Sequence, residues 1–226
     1  MSHFLLLMLC NRCILCTFVL RMRYIVFDDM AQCTPAEVAR LLSVASTQRQ
    51  AQALRYSHTF GQFCCLKSYE MLLTLLREWG RAHNTNAYDT LLPEFLYNDY
   101  GQPCLADGPY FSISHSKNAI AVCVDDTPVG IDVESVRPLR WELVAKIMSA
   151  REQSLIAASV SQEWAFTRLW TQKEAVLKLR GTGIIADLRN TLDDCADVSL
   201  HTMDNPLHNY VLTIATQKTK EYETRF

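Results

Sequence analysis

Residues Pro128 to Glu134 read Pro-Val-Gly-Ile-Asp-Val-Glu, with apolar and acidic side chains alternating from Ile131 onward. A period of two belongs to a β-strand, so Ile131 and Val133 share one face while Asp132 and Glu134 share the other. Two carboxylates side by side on a strand repel each other. They are stable together when a divalent cation or a firmly placed basic group lies between them. Mg2+ suits such a pair, because it takes oxygen ligands, keeps several waters and binds through one or two carboxylates plus substrate phosphates. The simpler alternative is an edge strand whose acidic face is solvated.

The chain around this strand has 226 residues, 49% of them hydrophobic. That is enough for one large domain or two of roughly 100 residues each. The formal charge is -2, from 22 basic and 24 acidic residues, which excludes a general electrostatic attraction to nucleic acid or an anionic membrane. Any phosphate must therefore be held locally. The nine cysteines are scattered without framework spacing and read as reduced thiols of a cytoplasmic protein. Cys10, Cys13 and Cys16 have the gaps of an iron-sulfur run, but no fourth ligand follows, and no cluster is expected.

Phe4 to Leu20 is apolar but interrupted by Asn11 and Arg12, too short for the ~20 residues of a membrane span and without a signal-peptide pattern. The preferred reading is a start codon chosen too far upstream, with the working protein beginning at Met22; the alternative is a helical appendage. Tyr24 to Phe27 reads as a strand. Thr34-Pro35-Ala36-Glu37 has the pattern of a capped helix start, and a second helical region from Gln48 to Trp79 is expected to break near Gly61. Tyr97 to Pro103 has turn chemistry; Tyr110 to Ser116 and Ala119 to Val124 are strand-like runs. Ser114 and His115 do not make a hydrolase dyad, since neighbours on a strand point to opposite faces.

A long helix is expected from about Gln162 to Arg180, ending before Gly181. Phe166, Leu169, Trp170, Val176 and Leu177 form its apolar arc, with Lys173 inside the arc and Glu174 at its edge. Charges at core-facing positions break binary patterning, as functional sites do. The plain alternative is a helix-stabilising Glu174-Lys178 pair worth ~0.3 to 0.5 kcal/mol. Strands near Val198 to His201 and Tyr210 to Ile214 close the chain.

Phe111-Ser112-Ile113-Ser114-His115-Ser116, Gly130-Ile131-Asp132-Val133-Glu134 and Trp170 to Lys178, with Gly181 and Gly183 behind, together resemble the surfactin-synthetase type of 4'-phosphopantetheinyl transferase. The resemblance runs from about Arg23 to the C-terminus. It implies an α+β fold of two similar halves related by pseudo-twofold symmetry, with the site in the cleft between them. The expected divisions are an extension at 1-21, an N-terminal half at 22-126 and a C-terminal half at 127-226 carrying the metal site. By resemblance Asp132, Glu134 and Glu174 hold Mg2+, and Glu174 is a ligand, the base for the incoming hydroxyl, or both. Lys178 contacts the phosphates of coenzyme A with Lys173 beside it. Ser114 and His115 hold the nucleotide phosphates, and Arg49 reaches the 3'-phosphate. The implied partner is an apo acyl or peptidyl carrier protein, with no nucleic acid or membrane, and two fused halves suggest a monomer. Gln102 and Gln52 stand where the family usually has basic residues, which removes positive charge from the nucleotide site. The competing readings are a magnesium-dependent phosphodiesterase or nuclease, and a non-catalytic paralogue that binds coenzyme A or a carrier.

Overall fold

Two antiparallel sheets and two long helices carry the computed structural model, which describes residues 15-19, 22-183 and 188-218. The chain opens with β1 (Leu15–Val19) and β2 (Met22–Phe27), then α1 (Pro35–Val44), α2 (Thr47–Ala53), α3 (Thr59–Ala82) and the single turn α4 (Ala87–Thr90). A small hairpin of β3 (Leu96–Tyr97) and β4 (Pro103–Cys104) precedes β5 (Tyr110–His115), β6 (Ile120–Asp125) and β7 (Val129–Ser135). Helices α5 (Trp141–Ile147), α6 (Ala150–Ala158) and α7 (Gln162–Arg180) follow, and β8 (Val198–Asn205) and β9 (Tyr210–Gln217) end the described fold.

The first sheet has the order β1-β2-β6-β5 and the second β7-β9-β8, so the fold is α+β with antiparallel sheets. Period-two alternation gives the first sheet two apolar faces. Ile25, Phe27, Ile120, Val122 and Val124 pack beneath α3 around Phe63 and Leu72. Tyr24, Val26, Ala121 and Cys123 pack instead on Ile131, Val133, Leu212 and Ile214 of the second sheet. Helix α7 covers the far side of that sheet through Ala175, Val176 and Leu179 against Val198 and Ala215. The layers therefore run α3, sheet, sheet, α7, and β7 is covered on both faces.

Leu15–Val19 pairs antiparallel with β2, Leu15 opposite Val26, so this stretch is an edge strand and not the helical appendage. Cys10 and Cys13 lie outside the described residues, as does the side chain of Cys16. The break between α2 and α3 falls at residues 54-58, ahead of Gly61, because the His58 ring caps α3 by accepting from Gly61 N at 3.0 Å. Thr34 caps α1 as expected, accepting from Glu37 N, while the Glu37 carboxylate turns to Arg40. Ser149 and Glu152 form a complete capping box at α6. Among the described residues no helix is long and apolar enough to cross a membrane.

Candidate active site

The site begins where the two sheets meet along β5 and β7. Phe111 and Ile113 of β5 turn toward the α3 core, which leaves Ser112, Ser114 and Ser116 facing β7. Ser112 Oγ accepts from Ile131 N (3.1 Å), Ser114 Oγ accepts from Val133 N (3.2 Å), and Ser135 Oγ donates to Ser116 Oγ (3.2 Å). Each bond joins residues 19 apart, so the strands run side by side in the same direction, with hydroxyls replacing a backbone ladder. Ser114 also donates to Asp132 Oδ1 at 2.7 Å.

Gly130, Asp132 and Glu134 occupy the β7 face turned to α7. A Cβ on Gly130 would stand 2.0 Å from the Ala175 carbonyl oxygen and 2.5 Å from Leu179 N, so only glycine lets the helix lie this close. The helix meets the sheet through small and polar side chains as well as apolar ones: Thr167, Thr171, Ala175 and Leu179, spaced by four, are all buried, and Thr171 Oγ1 lies 2.8 Å from Thr213 Oγ1. The expected arc of Phe166, Leu169 and Trp170 is only partly buried and packs toward α5 and α6. Gly181, in the left-handed conformation at φ 68°, ends α7. This packing sets Glu174 and Lys178 over Asp132, with Lys178 Nζ 2.7 Å from Asp132 Oδ1 and 3.1 Å from the Ile131 carbonyl oxygen.

Burial raises the pKa of Glu134 to about 7, with the Asp132 charge adding to it and a hydrogen bond from Trp170 opposing it. Glu174 is raised above its ordinary value for the same two reasons, burial first and Asp132 second. Asp132 Oδ2 and Glu174 Oε1 are buried with no hydrogen-bond partner. Such oxygens are costly to leave bare and fit a hard cation, which would bring charge and coordinated water to both. Among the described residues no group of three or more His, Cys, Asp or Glu side chains is arranged so as to hold a metal ion. The fit rests on the donor chemistry: Asp132 repels both Glu134 and Glu174, and Asp132 and Glu174 each carry an unpaired oxygen. Glu174 and Lys178 line a cavity of about 220 Å3 with Tyr100, Gln102, Phe111 and Ser112. A neighbouring cavity of about 430 Å3 shares Gln102, Pro103, Phe111 and Lys178 with it. Glu134 lines a separate cavity of about 440 Å3 with Arg137, Arg140, Phe166 and Trp170.

The other expected site residues take different places. His115 ends β5 edge-on to Phe60, and its pKa is lowered by desolvation, then by Lys178 and Arg49. Arg49 is buried, its guanidinium bound to Cys65 O (2.9 and 2.6 Å), Ser68 Oγ (3.0 Å) and Gln52 Oε1 (2.8 Å). Those bonds use four of its five N–H groups, so the expected grip on a phosphate has little donor capacity left. The Ser114 hydroxyl donates to Asp132 Oδ1 and accepts from Val133 N. Lys173 is 0% exposed; its Nζ reaches Glu152 Oε1 (2.9 Å), Leu188 O (2.8 Å) and Arg189 O (3.0 Å), which fills all three donors away from Asp132. Gln102 donates from Nε2 to the Lys178 carbonyl oxygen at 2.8 Å, capping α7, and Gln52 braces Arg49. Sequence reasoning took Gly130, Trp170 and Ser112 only as parts of motifs and gave them no role in the site; Gly130 admits α7, Trp170 bonds Glu134, and Ser112 joins β5 to β7, for which the Ser112-Ser114-Ser116 period was the available signal.

The sequence profile of the 4'-phosphopantetheinyl transferase superfamily matches residues 128-223, the stretch that carries β7 and α7. The chain is 28% identical over 169 residues to the 4'-phosphopantetheinyl transferase Sfp of Bacillus subtilis (strain 168), a match covering 73% of this chain and 70% of that protein. It is 33% identical over 132 residues to the 4'-phosphopantetheinyl transferase AcpT of Escherichia coli O157:H7, covering 55% of this chain and 67% of that protein. The chain thus belongs to the 4'-phosphopantetheinyl transferase superfamily and is a transferase enzyme.

Proposed function

We propose that the protein transfers 4'-phosphopantetheine from coenzyme A to a serine of an apo acyl or peptidyl carrier protein, releasing 3',5'-ADP, with Mg2+ held by Asp132, Glu134 and Glu174. The observation that carries this reading is the pair of unpartnered buried oxygens, Asp132 Oδ2 and Glu174 Oε1, beside Lys178, with Glu174 and Lys178 on the wall of a cavity. A bound Mg2+ supplies positive charge that neutralises the pyrophosphate oxygens. The chain supplies the rest. Lys178 has one N–H beyond those given to Asp132 and Ile131, and it donates to a phosphate oxygen as charge builds on the leaving group. Glu174, whose raised pKa makes it a stronger base than an ordinary carboxylate, accepts the proton of the serine hydroxyl. That oxygen bonds to the β-phosphorus, and the bond to the 3',5'-ADP oxygen breaks. His115, within electrostatic reach of Lys178 and Arg49, adds a ring N–H, and Arg49 contributes its charge while most of its N–H groups stay bound within the protein.

We assign residues 22-126 and 127-226 to two halves, supported by the repetition of a long helix on an antiparallel sheet, α3 on one and α7 on the other. A monomer acting on cytoplasmic carriers completes the proposal.

Incubating the protein with coenzyme A, Mg2+ and an apo carrier, and weighing the carrier, tests it. The expected result is addition of one phosphopantetheine group that stops with EDTA and in Asp132→Asn or Glu174→Gln. Cleavage of coenzyme A with an unmodified carrier would make the protein a phosphodiesterase instead. Binding without either reaction would make it a non-catalytic paralogue.

A further inference from the structure

Of the serines along β5, one touches a carboxylate. Ser112 and Ser114 both accept a backbone N–H of β7, from Ile131 and Val133, at 3.1 and 3.2 Å, and both are buried. As joints between the sheets they are equivalent. Ser114 alone of the two carries its proton to Asp132, at 2.7 Å from Oδ1. A hydroxyl has one proton and two lone pairs on a rotor; the N–H of Val133 takes one lone pair and leaves the proton directed at Asp132. Asp132 Oδ1 accepts from Ser114 and from Lys178 Nζ, which leaves Oδ2 as its unpartnered atom.

We infer that Ser114 is a positioning residue: braced by the Val133 amide, its hydroxyl pins Oδ1 of Asp132 and so keeps Oδ2 presented for a divalent cation. Second-layer groups of this kind orient a ligand and keep it ionised, and losing one typically weakens metal binding by about 10- to 100-fold. The inference rests on the proposed role of Asp132 as a cation ligand. It is an alternative to the expectation that Ser114 binds a phosphate, since the one proton it could give a phosphate goes to Asp132.

The test is Mn2+ affinity of the full chain, measured by calorimetry without coenzyme A, together with the thermal midpoint. Ser112→Ala and Ser114→Ala each leave a β7 amide unpaired, so both should lower the midpoint similarly. Ser114→Ala should weaken Mn2+ binding about tenfold or more, Ser112→Ala should leave it within about twofold, and Ser114→Thr should restore it by returning the hydroxyl. Should the alanine variants not fold, Ser112→Cys and Ser114→Cys carry the same comparison with a weak donor of similar bulk. Equal Mn2+ affinities for the Ser112 and Ser114 variants would overturn the inference. So would unchanged Mn2+ affinity in Ser114→Ala with a raised KM for coenzyme A, which would return Ser114 to the phosphates. Asp132→Asn that binds Mn2+ like the wild type would instead overturn the reading of Asp132 itself.

Discussion

Gly130 and Ala175 are in backbone contact: the helix carbonyl of Ala175 occupies the place a β-carbon on Gly130 would take, at 2.0 Å. The distance from Asp132 to Lys178 depends on that approach, since residue 132 lies two places along the same strand face and residue 178 one helical turn beyond 174. Gly130→Ala should force α7 off β7. We expect a loss of about 1 to 3 kcal/mol of stability and a far larger fractional loss of transfer. Denaturant unfolding and carrier modification measure the two. A fully active Gly130→Ala would show that the close approach does not set the site.

The pKa of Glu134 gives a pH dependence of defined sign. Its carboxyl is raised to about 7 from an ordinary 4.5. The folded chain therefore holds this proton more tightly than the unfolded one, and its contribution to stability is complete below about 4.5 and lost as pH rises through about 7. Without divalent cation, the thermal midpoint should fall between pH 5 and pH 8, and Glu134→Gln should fall less. Mg2+, which needs the ionised carboxylates, should raise the midpoint more at pH 8 than at pH 5. Thermal scans at both values, with EDTA or Mg2+, check this; an equal Mg2+ effect at both would remove Glu134 from the cation site.

Some of this was legible in the sequence and some was not. The bounds of α7 follow from its periodicity and from Gly181, and the alternation in β7 placed Asp132 and Glu134 on one face. Periodicity misjudged which side of α7 is packed tightest, because Thr167, Thr171 and Ala175 do not read as core, yet small residues are what a close helix-sheet approach requires. The partner of Lys173 was hidden for another reason. Glu152 sits on α6, and no local rule links that helix to position 173. The contact of Ser114 with Asp132 was not legible either, since the pairing of β5 with β7 joins two sheets.

The resemblance leads one to expect a basic residue at Gln102, and here its amide caps the Lys178 carbonyl at the C-terminal end of α7. A lysine can make the same bond and is favoured at a helix C-terminus by about 0.3 to 1 kcal/mol. Gln102→Lys should therefore keep stability within about 1 kcal/mol while adding positive charge to the cavity that holds Glu174 and Lys178. The expected result is a lower KM for coenzyme A and a smaller change for dephospho-coenzyme A. Equal changes on the two substrates would place Gln102 beside the pyrophosphate, which both share.

Lys173 provides the sharpest contrast between resemblance and geometry. The resemblance puts it beside the phosphates; the structure buries it completely, with Glu152 and two carbonyl oxygens as its partners. Glu152 is itself held by the amide of Ser149 at 2.7 Å, so removing the lysine leaves a buried carboxylate that cannot swing away without uncapping α6. Breaking one partner of a buried pair costs about 3 to 5 kcal/mol, whereas replacing both with neutral groups of similar size costs much less. Lys173→Met should therefore be strongly destabilised, and Lys173→Met combined with Glu152→Gln should recover part of the loss. If the fold is what Lys173 serves, the double variant should keep its KM for coenzyme A near the wild-type value. A stable Lys173→Met with a KM raised tenfold or more, by about 1.4 kcal/mol of lost binding, would return Lys173 to the coenzyme.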